Sequence, residues 1–317
     1  MPELPEVHTT VSGLQDVLPY LFIKDVWTDL TTTDKRNTDS VKHPAYFEYF
    51  KKEVTGKRIE NVSRRGKNIL IKIEGGKTIL IHMKMTGHLL FGRYDYNAKE
   101  NTWFPHDEEP NQALRDPFNK YVHVVFTLKD PKKSGAKSEV HLAFSDSRKF
   151  GKMTLLETSE LESTLHLSHI GPEPLEESFT VAKMIERLAT KPNGKIKSVL
   201  MDQTVIAGIG NIYSDEILWE AGIHPEECVK DIPLPLFSLM FKAMKATLSR
   251  GIDFGGDSMS DYRNIYGEPG KFQNEHNVYR RTGKPCKKKD GGTIVRKVVG
   301  GRSAHFCDMH QKLIKQK

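Results

Sequence analysis

Residues 4–22 carry Leu4, Val7, Val11, Leu14, Val17, Leu18 and Leu21, a spacing of three and four that predicts one amphipathic helix. Such a helix holds the start of the chain rigid, where termini otherwise fray. From about residue 23 to 158 the period becomes that of strands. Ile69-Leu70-Ile71-Lys72-Ile73 and Thr78-Ile79-Leu80-Ile81-His82-Met83 flank Glu74-Gly75-Gly76-Lys77 and predict a hairpin. Val122–Leu128 and Val140–Phe144 predict a second pair, joined by the Lys-, Ser- and Gly-rich loop Lys129–Glu139. Many strands with turn signals point to a β-sandwich. The stretch 93–120 is polar and without a clear period, which predicts an extended loop.

The pattern changes again after His166–Pro174, a Pro-rich and weakly patterned segment that reads as an interdomain linker. Phe179–Leu188 and Ile196–Met201 predict helices, split by Lys191-Pro192-Asn193-Gly194. Ala207-Gly208-Ile209-Gly210-Asn211 then leads into the helical pattern Ile212–Trp219, so this region reads as a helix, a two-turn connector and a second helix. Leu236–Ser249 is amphipathic and helical, and Arg250–Asn264 is a glycine-rich loop. Thr293–Val299 enters Gly300-Gly301-Arg302 as one arm of a hairpin.

Composition narrows the class. A chain of 317 residues can bury a real core in one large or two ordinary domains. Its formal net charge of +7 and pI near 9.0 suit a polyanionic partner, and nucleic acid is the usual one. The cysteines are Cys228, Cys286 and Cys307; an odd number gives no disulfide framework and fits a reducing compartment. No apolar run approaches the roughly 20 residues of a membrane span, and the start shows no basic-then-apolar signal pattern. A cytoplasmic, nucleoid-associated enzyme with no membrane partner is expected.

Three features carry candidate chemistry. The chain starts Met1-Pro2-Glu3-Leu4-Pro5-Glu6. Removal of Met1 would leave Pro2 with a free secondary amine, which titrates near about 7.7–8.0 against about 10.4 for lysine. Its attack on a sugar C1′ gives an iminium directly, and Glu3 beside it can move protons. The helix start at Asn211 offers exposed N–H groups to an anion such as phosphate, and the neighbouring glycines allow DNA backbone to approach. Cys307-Asp308-Met309-His310 has metal-ligand spacing.

The start MPELPEV resembles that of the formamidopyrimidine-DNA glycosylase family. So do Arg64-Arg65-Gly66-Lys67, Met85-Thr86-Gly87, Asp146-Ser147-Arg148-Lys149-Phe150-Gly151, the "GPEPL" stretch of the linker, the run from Leu200 through Pro225, and Gly301-Arg302-Ser303-Ala304-His305-Phe306-Cys307. The resemblance spans nearly the whole chain, with Ser147 and Lys149 departing from the family's D-P-R-R-F-G. It implies an α+β fold. Residues 1–160 form an N-terminal β-sandwich with a terminal helix and 161–174 a hinge. A helical helix–two-turn–helix domain follows over 175–275, and 276–317 form a zinc-finger-like β-hairpin. It implies Pro2 as nucleophile, Glu3 as proton shuttle, Lys67 on the lesion's phosphate and deoxyribose, and Glu6 as support of the pocket. Taken by themselves Met85 and Phe150 read as core residues. The resemblance instead places Met85, Arg148 and Phe150 in the gap left by an extruded base, where an apolar wedge and a guanidinium replace part of the lost stack. It also implies Asn211 and Lys197 on phosphates, Glu216 lining the pocket, Arg302 in the minor groove or on the lesion phosphates, and the loop at 250–264 closing over the base.

The family's finger has four cysteines, and here Lys289 and His310 stand at the second and fourth positions. Either zinc is held by Cys286, Cys307, His310 and Asp290, or the hairpin folds without metal on Ile294, Val298 and Phe306. The implied activity is excision of oxidised purines from damaged double-stranded DNA, with strand cleavage at the abasic site, by a monomer. Two rivals stand beside it: an endonuclease VIII-like enzyme for oxidised pyrimidines, whose starts read MPEGPE where this chain has Leu4, and a non-catalytic binder of damaged DNA.

Overall fold

The computed structural model describes residues 1–34, 37–259 and 261–314. In chain order its elements are α1 (Leu4–Val17), β1 (Phe22–Thr28), α2 (Pro44–Val54), β2 (Ile59–Arg65), β3 (Asn68–Ile73), β4 (Lys77–His82), β5 (His88–Gly92), β6 (Tyr94–Asn97), β7 (Thr102–Pro105), β8 (Val122–Lys129), β9 (Glu139–Ser145), β10 (Lys152–Glu157), α3 (Val181–Ala189), α4 (Ile196–Leu200), α5 (Asn211–Ala221), α6 (Leu234–Asp253), β11 (Ile294–Val299) and β12 (Arg302–Cys307). They form two compact units. One comprises residues 1–2, 6–168 and 255–271; the other comprises 3–5, 169–254 and 272–317. The segment 255–271, placed by sequence with the helical region, therefore folds with the β-rich unit.

In that unit, two four-stranded antiparallel sheets run β1-β8-β9-β5 and β10-β4-β3-β2. The predicted β3–β4 hairpin is present, with Ile73 paired to Lys77, and so is the β8–β9 pair. Alternate residues meet in one core: Ile69, Ile71, Ile79 and Ile81 from one sheet, Val124, Phe126, Leu142 and Phe144 from the other, and Val7, Val11 and Leu14 from α1. Strand β8 is apolar on both faces because both are covered. Its outer face carries Val122 and Val125 into a second cluster with Leu90, Tyr94, Leu114 and Ala143.

That cluster explains the stretch 93–120. It is not an open loop: β6 and β7 pair, and two 3-10 turns follow at Gln112–Arg115 and Pro117–Lys120. Trp103 packs against the cluster from this segment. Two other expectations change. Helix α1 ends at Val17 rather than near 22, because Tyr20 takes a positive φ of 74° and the chain turns into β1. Helix α2 was not predicted, although Pro44 at its first turn and the spacing of Phe50 and Val54 are helix signals.

The second unit is helical. Residues Phe179, Met184, Leu188, Ile196, Leu200, Ile209, Tyr213, Ile217, Met240 and Met244 share its core. Helix α6 begins two residues before the predicted start and runs to Asp253, so Arg250–Asp253 is helix and not loop. Strands β11 and β12 pair across Gly300-Gly301, whose φ values of 55° and 74° suit a two-residue hairpin turn.

Candidate nucleic-acid and catalytic site

Sheet register gathers one set of predicted residues at one end of the sandwich. Asn68 and Lys152 both pair with His82, and His88 and Val122 both pair with Ser145. The turns carrying Lys67, Met85, Arg148 and Phe150 therefore leave the same edge. Met85 and Phe150 line a cavity of about 620 Å³ together with Met1, Lys42, Lys84 and Lys149. Phe150 is 50% exposed, and the Arg148 guanidinium lies over its ring, 4.6 Å from the centroid. An exposed aromatic ring with a cation stacked on it is poor core packing and a good stacking surface. Burial lowers the Lys42 and Lys84 ammonium pKa values.

Asp146, buried at 1% exposure, fixes this edge. Its carboxylate accepts from the Thr86 hydroxyl, from the Gly151 N–H at 2.7 Å and from the Arg148 N–H at 3.3 Å. Gly87 and Gly151 both press on the Phe144 ring, where a Cβ would clash. The glycines of Met85-Thr86-Gly87 and Phe150-Gly151 are thus packing requirements. Lys67 is buried in the β2–β3 turn. Burial above all, with the charges of Lys84 and Lys67, pushes His82 down to about 3. Pro2 is buried in this unit.

Glu6 is buried and tied to the glycine-rich segment: its carboxylate accepts from the Asp257 N–H at 2.7 Å and its carbonyl from the Tyr262 hydroxyl at 3.0 Å. Gly256, at φ 84°, lies against Glu6, where a Cβ would clash. Ser258 Oγ donates to the Tyr262 carbonyl and accepts from the Gly270 N–H. Ser260, within the expected lid, lies outside the described residues.

In the helical unit the start of α5 is not an open anion site. Glu3 occupies it: its carboxylate accepts from the N–H groups of Gly210 at 2.7 Å, Ile212 at 2.9 Å and Tyr213 at 3.3 Å. A carboxylate is the anion a helix start favours. The glycines serve the chain's own start. A Cβ on Gly210 would strike the Glu3 carboxylate and one on Gly208 would strike Leu4, whose N–H donates to the Gly208 carbonyl at 2.9 Å. Asn211 is half-buried in the first turn of α5, beside the Tyr279 hydroxyl.

Two of the residues expected at the DNA site have buried partners. Lys197 is fully buried, and its ammonium donates to Asp215 at 2.6 Å, Ser214 Oγ at 3.1 Å and the Asn211 carbonyl at 3.3 Å. Held this way it anchors the first turn of α5. Glu216 is buried, and its carboxylate accepts from the N–H groups of Asn277, Val278 and Tyr279 at 2.8–3.0 Å. Asp215 was not singled out from sequence. Its second oxygen accepts from His305 N–H at 2.9 Å and faces His305 Nδ1 at 3.0 Å, tying α5 to β12. Arg302, first in β12, is exposed at the hairpin turn.

Cys286, Asp290, Cys307 and His310 offer ligand atoms that all lie within 4.8 Å of one another. Cys286 Sγ is 3.7 Å from His310 Nδ1, and Cys307 Sγ is 3.4 Å from an Asp290 oxygen, which also touches His310 Nδ1. Tetrahedral zinc with sulfur, nitrogen and oxygen ligands sets its donors about 3.3–3.8 Å apart; the donor types suit zinc and the two sulfur separations fall in that range, while Asp290 and His310 stand closer to each other. Lys289, between Cys286 and Asp290, takes a left-handed φ of 55°.

A family model described as the formamidopyrimidine-DNA glycosylase N-terminal domain matches residues 1–153, and one described as the H2TH domain of the same family matches 170–263. A formamidopyrimidine-DNA glycosylase of Bacillus subtilis is 37% identical over 309 residues, covering 97% of this chain and 98% of the relative. One from Desulfitobacterium hafniense is 36% identical over 310 residues, with the same coverage. Among solved structures, the Lactococcus lactis Fpg bound to DNA containing an abasic site superimposes with a TM-score of 0.78 at 31% identity, covering 98% of this chain and 99% of that one. No helix among the described residues is long and apolar enough to cross a membrane. With both domains matched in order and relatives aligned over nearly their whole length, the chain belongs to the formamidopyrimidine-DNA glycosylase family.

Proposed function

We propose that the protein is a base-excision-repair glycosylase that removes oxidised purines from double-stranded DNA and cleaves the resulting abasic site. The observation that carries this reading is the Glu3 carboxylate, held by three amides of the α5 start and next in the chain to Pro2, whose nitrogen becomes a secondary amine once Met1 is removed. A proton shuttle fixed by backbone donors has no rotamer to search before it acts.

In the mechanism, Met1 is removed and the Pro2 nitrogen attacks C1′ of the extruded nucleotide. The glycosidic bond breaks and the base leaves with a proton. The amine loses its own proton as the C1′–O4′ bond opens, O4′ takes up a proton by way of Glu3, and an iminium links nitrogen to C1′. Loss of a C2′ proton expels the 3′ phosphate, and loss of a C4′ proton then expels the 5′ phosphate. Met85, Arg148 and Phe150 fill the vacated stack. Lys67 and Arg302 meet the lesion's backbone, Asn211 a neighbouring phosphate, and Glu6 braces the segment that faces the base. Lys197 acts through α5 and not on DNA. Zinc fits Cys286, Asp290, Cys307 and His310; it would cross-link the hairpin and takes no part in the chemistry. A cytoplasmic, nucleoid-associated location would suit a DNA substrate.

The test is borohydride trapping on a duplex with 8-oxoguanine opposite cytosine. A covalent band mapping to Pro2, lost in Pro2→Gly and with nicking reduced in Glu3→Gln, supports the reading. Binding without a band would leave a non-catalytic binder, and a band only with thymine glycol would move the substrate to oxidised pyrimidines. The second duplex matters because the Lactococcus lactis relative has been solved with DNA containing an oxidised pyrimidine, at 31% identity and a TM-score of 0.78.

A further inference from the structure

One residue of α5 embraces the cation group of the hairpin. Trp219 is 5% exposed and packs among Val278, Cys286, Ile294 and Cys307. Its indole Nε1–H donates to Cys286 Sγ at 3.4 Å. Its carbonyl stands 3.2 Å from His310 Nε2, and its ring meets the His310 imidazole edge-on, with centroids 5.7 Å apart at 70°. Lys288 Nζ lies over the ring, 4.7 Å from its centroid. Two of the four donor residues are therefore oriented by a single neighbour.

Each contact prepares a ligand. An imidazole that gives its Nε2 proton to a carbonyl keeps its lone pair on Nδ1. Here Nδ1 faces Asp290 and Cys286. With the proton on Nε2, His310 Nδ1 and the Asp290 carboxylate meet as two acceptors, a contact that only a further proton or a cation can bridge. A metal-bound cysteine is a thiolate, and an N–H donor aimed at sulfur stabilises that charge. A set of two sulfurs, one nitrogen and one carboxylate oxygen has fewer thiolates than four cysteines, so orientation of the remaining sulfurs matters more.

We propose that Trp219 is the positioning residue of this site: its indole holds the Cys286 sulfur and its carbonyl sets the His310 ring, so that a zinc-class divalent cation bound in the hairpin is tied to α5. The proposal rests on reading the four residues as a cation site. Outer partners of this kind change metal affinity by about 10–100-fold. Phenylalanine at 219 keeps an aromatic ring and the carbonyl but deletes the N–H together with part of the indole's packing area.

The experiment uses the full chain, stripped with chelator and titrated with cobalt(II). Wild type is expected to develop sulfur-to-cobalt charge-transfer absorption. Trp219→Phe should bind at least about 10-fold more weakly with a displaced band; the smaller ring also lowers the Tm of the stripped protein, so the displaced band is the readout that a merely structural role would not produce. In nitrogen-15-labelled wild type, one indole N–H resonance should move on addition of zinc; this readout needs no variant and decides the matter if Trp219→Phe does not fold. Equal cobalt affinity and an unchanged band, or an unmoved indole resonance in zinc-loaded protein, overturns the role of Trp219 and leaves the cation site standing. Absence of cobalt binding in wild type overturns the cation site itself, and this proposal with it.

Discussion

Replacing Asp215 by asparagine tests how the helical unit holds its DNA-facing parts. The Asp215 and Lys197 side chains are both 0% exposed, 2.6 Å apart. Asp215 also takes both the backbone N–H and the ring of His305. Asp215→Asn keeps the shape but leaves the Lys197 ammonium buried against a neutral amide. Removing one member of a buried pair costs about 3–5 kcal/mol, because the remaining charge stays uncompensated. For a unit of this size that corresponds to a fall in Tm of roughly 6–20 °C. Calorimetry should show it in the transition of the helical unit. Lys197→Met should cost nearly as much alone and far less on the Asp215→Asn background, giving a coupling of about 2 kcal/mol or more. Additive single effects, or a Tm change for Asp215→Asn within about 2 °C, would refute the assignment of Lys197 as a structural anchor and restore it as a candidate phosphate contact.

Two further outcomes are expected. Gly210→Ala places a Cβ against the Glu3 carboxylate, with Oε1 at 2.6 Å, while its negative φ leaves the backbone unstrained. Single-turnover nicking should fall about 100-fold with duplex affinity nearly unchanged, and unaltered nicking in that variant would remove Glu3 from the chemistry. Burial holds His82 down to about 3 and His141 down to about 4, while unfolded imidazoles protonate near about 6.5. Between those values the unfolded chain binds more protons, so this stability is fully present above pH about 6.5 and is lost as pH falls, by at most about 1.4 kcal/mol per pH unit for each ring. Tm followed from neutral to acid pH should fall more steeply in wild type than in His82→Gln, and parallel curves would contradict the depressed pKa.

The strand and helix periods of β3, β4, β8, β9, α3 and α6 were legible because each follows from which face is buried, and burial leaves a period in the sequence. The chemistry-bearing stretches were legible for a different reason: Pro2 and Glu3 are adjacent in the chain, and Cys307 and His310 lie three apart. The stretch 93–120 was misread because its order comes from covering the outer face of β8, a partner about as long as the gap that hides it. The buried partners of Lys197 and Glu216 were not legible because a charged side chain looks the same in a sequence whether it faces solvent or a buried partner. Local order and reactive groups were thus set by the sequence itself. The partners of those groups — Glu3 on the amides of α5, Lys197 on Asp215, Asp290 beside His310 — were decided only by the tertiary structure, because desolvation makes unpaired charge costly and only folding determines which charges lose their water.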